Sequence, residues 1–236
     1  MYHMSDPNQP SLSEPFNNEM ARIYDQRNSK LHFVSDCAHF LMRLVLRDLP
    51  ERARILCVGV GTGADILALA SEYPQWTFLG VDPSADMLHV CRQRLQAAGL
   101  GDRCELVEGY VADVRDADFD AAVSLLVAHF VALADRPAFY RAIAERLKQG
   151  GRFLSAEIST DLNAAEFPRA LEDWNQIQRM TGATEAVIAS MDDTLRNVLS
   201  VIPADRTESL LRDAGFSVPV PFFQAFMIRG LHAAKL

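Results

Sequence analysis

Apolar positions fall into two rhythms along this chain. From residue 54 onward, apolar runs at 54–58, 77–81, 103–107, 119–126 and 152–158 alternate with stretches where apolar residues recur every three or four positions, at about 63–73, 84–98 and 137–148. Short, mainly apolar runs suit strands covered on both faces, and the 3.6-residue spacing suits helices. Their alternation predicts an α/β fold, a parallel sheet with helices on both sides. Ser84 stands as a helix N-cap, Pro137 near a helix start and Gly150-Gly151 as a helix stop. Ahead of this core, Met20, Ile23, Leu31, Val34, Phe40, Leu41, Leu44 and Val45 keep mostly helical spacing and predict two helices closed by Pro50.

After the fifth run the rhythm changes. Residues 161–199 carry an amphipathic helical pattern broken around Gly182, with Phe167, Leu171, Trp174, Ile177, Met191 and Leu195 among its apolar positions. So much apolar surface predicts an insertion that packs over something. Residues 203–214 then read as a helix, and 218–226 with 228–234 as a two-stranded hairpin. The opening 15 residues, rich in Ser, Pro, Asn and Asp, are expected to be a flexible N-terminus.

The densest information lies between Arg54 and Asp82. Ile55-Leu56-Cys57-Val58 leads into Gly59-Val60-Gly61-Thr62-Gly63, then a helical pattern with Ile66, Leu67, Leu69 and Ala70, then Thr77-Phe78-Leu79-Gly80-Val81 ending on Asp82. A chain leaving a buried strand can turn sharply and touch a ligand with its main chain only where no Cβ intervenes, which singles out Gly59 and Gly61. The helix opening at Gly63 directs free N–H groups and its positive dipole end to the same place, suited to a carboxylate or phosphate. Asp82 can accept hydrogen bonds from both hydroxyls of a ribose. The unit reads as βαβ holding an adenosine-containing cofactor. Because Ala64 follows Gly63, the loop also satisfies G-x-G-x-x-G/A, so an NAD(P)-binding oxidoreductase or a flavoprotein stays open, as does a plain strand-to-helix turn.

Composition narrows the class. With 236 residues, half of them apolar, the chain can bury a substantial core. A net charge of −8 disfavours a nucleic-acid partner. No apolar stretch is long enough for a bilayer, and residues 5–15 lack the pattern of a secretory signal, so a cytoplasmic protein without a membrane partner is expected. Cys37, Cys57, Cys91 and Cys104 are scattered and read as packed thiols, and the histidines show no ligand spacing, so no metal is expected.

Ile55 to Gly63, Asp82, Gly109, the Gln149-Gly150-Gly151 turn and the terminal hairpin together resemble the class I S-adenosylmethionine-dependent methyltransferases, over about residues 50–236. The resemblance implies a Rossmann-like, doubly wound, seven-stranded and mostly parallel sheet with a C-terminal antiparallel hairpin. It also implies one domain over 16–236, a helical lid insertion at about 161–200, and S-adenosylmethionine as cofactor. Phe222-Phe223-Gln224-Ala225-Phe226 and the insertion are further similar to the subgroup containing carboxy-S-adenosyl-methionine synthase.

Carried over residue by residue, the resemblance places Gly59 and Gly61 against the methionine portion of the cofactor and Asp82 on its ribose diol. Pro83 and Met87 would flank the adenine, Gly109-Tyr110-Val111 would approach its edge, and Leu125 would lie beside the reactive methyl. Two departures stand out: the usual acid before the loop is Cys57, and the usual acid after Gly109 is Tyr110. Asp65, in the first turn of the helix, is a candidate to meet the cofactor ammonium instead, against the alternative of a surface acid that favours the helix dipole. In the subgroup, an arginine of the insertion clamps an extra carboxylate on the cofactor. That position is Asp192 here, which would repel it unless Arg179 or Arg196 takes the role. Methyl transfer is therefore preferred to carboxyl transfer, in which prephenate and S-adenosylmethionine would yield a heavier, carboxylated cofactor. A binding protein without turnover is the remaining alternative.

Methyl transfer from a sulfonium is an in-line displacement, so a dry pocket that aligns the nucleophile supplies much of the catalysis. For an acceptor that must lose a proton, His129 is the best-placed candidate base, since neutral imidazole is available near pH 7, against the alternative of a structural histidine in a strand-to-helix loop. Trp174, with Asn175 and Arg179, is placed as the roof of the acceptor pocket, against the alternative of simple packing. Tyr24 and Arg27 would close the cofactor end, and Phe222 and Phe223 read as core. The apolar lid suits a small-molecule acceptor, and the same stripes also suit a homodimer interface.

Overall fold

The computed structural model describes Lys30 and residues 32–236. The expectations for the opening segment, for Met20, Ile23 and Leu31 and for Tyr24 and Arg27 lie outside the described residues.

Seven strands form one sheet in the order β3-β2-β1-β4-β5-β7-β6. They are β1 (Arg54–Val58), β2 (Thr77–Asp82), β3 (Cys104–Glu108), β4 (Phe119–Leu125), β5 (Leu147–Ile158), β6 (Val220–Ala225) and β7 (Ile228–Ala234). The first five pair in parallel, and β7 runs antiparallel between β5 and β6. The expected Rossmann-like sheet with a reversed terminal hairpin is thus the observed one.

Side-chain alternation explains the unbroken apolar runs. Leu56, Val58, Leu79, Val81, Ala122 and Phe153 point to one face, where they meet Tyr140, Ile143, Leu210 and Leu211 of α4 (Arg136–Arg146) and α7 (Ala204–Asp213). Ile55, Cys57, Phe78, Ala121, Val123 and Leu154 point to the other, against α1 (His32–Leu46), α2 (Ala64–Glu72) and α3 (Ala85–Ala97). With both faces covered, the central strands β1, β2 and β4 are mostly apolar, with Asp82, Asp120 and Ser124 as buried polar exceptions.

Three boundaries differ from expectation. The fourth core helix ends at Arg146 and β5 starts at once at Leu147, so Gly150, at φ +75°, serves a register irregularity within β5 rather than a helix stop. The first hairpin strand begins only at Val220, leaving Val218 exposed. β4 ends at Leu125, because Leu126 turns into the left-handed region at φ +59°.

The insertion folds as α5 (Phe167–Met180), α6 (Glu185–Ala189), a single turn at Met191–Asp193 and a wider turn at Thr194–Val198, closed by Leu199 N–H on Thr194 O at 2.9 Å. Its apolar stripe has its own core, in which Phe167, Trp174, Ile177, Met191 and Leu195 pack with Ile158, Val201 and Met227. The lid is therefore seated on the C-terminal end of β5 and on the hairpin turn.

Candidate functional site

In an open parallel sheet the crevice lies beyond the carboxyl ends of the strands, where the chain order reverses; here that is between β1 and β4. Gly59, Gly61 and Gly63 all sit at positive φ, at +67°, +53° and +83°. Each position disfavours an L side chain. Gly59 also passes under Val127, whose Cγ2 an added Cβ would strike, whereas a Cβ on Gly61 would meet nothing within 4 Å among the described residues. Among the described residues, Gly61 therefore borders the uncovered side of the loop.

The loop is held from three directions. Gly59 and Val60 donate N–H to Val81 O at 2.8 and 3.1 Å, and Arg94 of α3 reaches both the carbonyl and the hydroxyl of Thr62 at 3.1 and 2.8 Å. Asp82 supplies the third hold: its Oδ2 accepts from Gly61 N–H and its Oδ1 from Ser84 N–H, each at 2.9 Å. Burial pushes the Asp82 carboxyl up, and the two N–H groups pull the other way. Asp82, expected on a ribose, fixes the glycine loop in the structure.

Ser84 caps α3 through Met87 N–H, so Pro83 and Met87 follow Asp82 in a rigid turn, with Met87 buried. After β3, Gly109 N–H donates to Asp82 O at 3.1 Å, which ties the two loops together. Tyr110 is exposed, and its N–H is held by Asp113 Oδ2 at 2.8 Å, while Val111 is buried in the core. Asp65 lies in the first turn of α2, where its Oδ1 accepts from His39 Nε2 at 2.8 Å. His39 belongs to α1, far away in sequence, and nothing in the local pattern announces the pairing.

At the end of β4, Leu125 is half-buried, and Leu126 keeps its left-handed turn by donating N–H to Ala156 O at 2.6 Å. A leucine at positive φ is uncommon, and strain of this kind gathers at working sites. No sequence signal pointed to it.

His129 is not where a general base belongs. It is 3% exposed, its Nδ1 accepts from Ile158 N–H at 3.3 Å, and its carbonyl accepts from Ser200 N–H at 2.8 Å. Burial, with the neighbouring Arg136 charge second, holds its pKa down to about 3. With Nδ1 as acceptor the proton sits on Nε2, so the ring has no free lone pair for a substrate proton. The catalytic expectation is corrected: His129 joins the β4 loop to β5 and to the return of the lid.

The same junction holds a buried ion pair. Arg136, 0% exposed, donates to Glu157 Oε2 at 2.6 Å and to Ser200 O at 2.5 Å, and Thr207 hydroxyl donates to Glu157 Oε1 at 2.6 Å.

Two lid expectations also change. Trp174 is buried in the lid core and presents packing rather than a roof, and Arg179 is committed to exposed Glu185 at 2.9 and 3.1 Å. Asp192 pairs with Arg196 at 2.9 Å, and Arg196 also donates to Leu162 O. Asn175 differs from these, since its Oδ1 is buried without a hydrogen-bond partner among the described residues. Among the described residues no three metal-ligating side chains lie together, and no helix is long and apolar enough to cross a membrane.

Comparison with known proteins agrees with this geometry. Residues 55–151 match the family described as Methyltransferase domain. A carboxy-S-adenosyl-L-methionine synthase from Desulfotalea psychrophila is 23% identical over 96% of this chain and 94% of its own length. Among solved structures, an O-methyltransferase family protein from Burkholderia thailandensis superposes with a TM-score of 0.63 at 18% identity over 94% of this chain. Human N-acetylserotonin methyltransferase in complex with SAM does so with a TM-score of 0.59 at 18% identity over 90%. The chain spans 59% and 57% of the lengths of those two structures. The domain match over residues 55–151, the synthase relative and the shared fold, set on a glycine loop braced by Asp82, make this chain similar to the class I S-adenosylmethionine-dependent methyltransferases.

Proposed function

We propose that this protein transfers the methyl group of S-adenosylmethionine to a small organic acceptor held beneath the helical lid. The observation that carries the reading is the loop at Gly59–Gly63, open at Gly61 and braced by Asp82. The residues fit the cofactor. The Gly61 side leaves room for its amino-acid end, and the free oxygen lone pairs of Asp82 suit a ribose diol. Asp65 offers a carboxylate for the ammonium.

When bound, the cofactor supplies an electrophilic methyl on a sulfonium, and the chain's residues have to align the acceptor and exclude water. Leu125 and Leu126 at the end of β4 furnish an apolar wall. Asn175 Oδ1 is the lid's unclaimed acceptor, suited to an O–H or N–H of the substrate. With His129 buried and neutral, no base is assigned, and the acceptor is one that reacts without a dedicated side-chain base.

A second reading, carboxyl transfer to the cofactor, is favoured by the full-length match to the synthase relatives. Against it, Asp192 stands where the resemblance puts an arginine, and Arg179 and Arg196 are both engaged with acids. Mass spectrometry separates the two. Incubation with S-adenosylmethionine and pooled small metabolites should give S-adenosylhomocysteine and a methylated product. A carboxylated cofactor formed with prephenate would replace the methyltransferase reading.

A further inference from the structure

Asp65 stands beside the glycine loop but does not stand alone. In α1, His39 shares a face with buried Met42 and Leu46, which anchor that helix against the second face of the sheet. The anchored helix delivers the His39 ring to Asp65, where Nε2–H donates to Oδ1 at 2.8 Å, with side-chain exposures of 17% and 18%. The other oxygen, Oδ2, makes no hydrogen bond among the described residues. The Asp65 charge also lies close to Cys57, at the end of β1 where the loop begins: after burial, it is the largest influence raising that thiol's pKa.

An aspartate on a first helical turn can rotate, and either oxygen can face outward. A donor fixed on a different helix removes that freedom and leaves one oxygen presented. We propose that His39 is a positioning residue for the amino-acid end of the cofactor, holding Asp65 so that Oδ2 faces the ammonium group. The inference rests on the reading above in which Asp65 meets that ammonium. His39 itself touches no part of the ligand.

The test compares two ligands that share a nucleoside and differ in the amino-acid end: S-adenosylhomocysteine and 5′-methylthioadenosine, titrated calorimetrically into the full chain. Asp65→Asn should weaken S-adenosylhomocysteine about tenfold, the scale of one lost charge-assisted contact, and leave methylthioadenosine within about twofold. His39→Ala should weaken only S-adenosylhomocysteine, by about threefold to tenfold. His39→Gln, which keeps an N–H donor, should restore most of that loss. The double variant should bind no worse than Asp65→Asn alone, because both changes remove one interaction. Full-strength S-adenosylhomocysteine binding by Asp65→Asn would remove the underlying reading. If Asp65→Asn weakens binding while His39→Ala does not, or if His39→Ala weakens both ligands equally, the inference on His39 fails and the Asp65 reading stands.

Discussion

Replacing His129 by Asn isolates the effect of one buried imidazole on stability. Asn keeps a side-chain oxygen to accept from Ile158 N–H and carries no titratable group. In the folded chain the ring titrates at about 3, while an unfolded histidine titrates near 6.5. Below that higher value the unfolded chain takes up a proton that the folded chain refuses. His129 thus contributes its full stability above pH 6.5, and that contribution is lost as pH falls toward 3. At pH 5 the loss is about 2 kcal/mol, from 1.5 units at 1.36 kcal/mol each, and it requires only that the folded value lie well below 5. Urea unfolding of both proteins at pH 7.5, 6 and 5 measures it, because contributions from other titrating groups cancel in the difference. The wild-type advantage should shrink by about 2 kcal/mol between pH 7.5 and pH 5. A gap that stays level would mean that the ring titrates alike in both states, and the account of the junction would fall. S-adenosylhomocysteine binding at pH 7.5 should be retained in the variant.

Further outcomes follow from the same geometry. Asp82→Ala should weaken S-adenosylmethionine binding at least tenfold, about 1.4 kcal/mol; unchanged affinity in a titration rejects the ribose assignment. Gly61→Ala, with open space around the new methyl, should lose about 1–2 kcal/mol of stability to backbone strain alone. It should reduce cofactor binding strongly, and a variant that binds normally shows that the cradle lies elsewhere. Gly59→Ala adds the Val127 clash and should lower the melting temperature further than Gly61→Ala, as a thermal scan reports. Arg136→Met leaves Glu157 buried without its cation and should cost about 3–5 kcal/mol in chemical denaturation.

The sheet was legible because both faces of its central strands are buried, which turns β1, β2 and β4 into mainly apolar runs. The glycine loop and Asp82 were legible because their chemistry is local: adjacent glycines, and an acid at a strand end. What could not be read depended on contacts between distant segments. The pairing of His39 with Asp65 spans two helices, and the joint role of Arg136, Glu157 and Thr207 draws on α4, β5 and α7. The left-handed turn at Leu126 runs against leucine's own preference, so tertiary packing alone sets it. His129 misled for a related reason. Its place after β4 suggested solvent access, and its ties to Ile158 and to Ser200 could not be seen from the local sequence. Arg179 misled because its partner Glu185 sits across a turn at Gly182 rather than at helical spacing.

The way the lid rejoins the body sets its mechanics. Ser200 is gripped on both sides, by His129 O and by Arg136, and Ile202 O accepts the Ser159 hydroxyl at 3.0 Å. That end is tied to the body, and α6 lies near the middle of the insertion's span, joined to α5 through left-handed Gly182. Amide protons around Ser200 would then be among the slowest in the insertion to exchange.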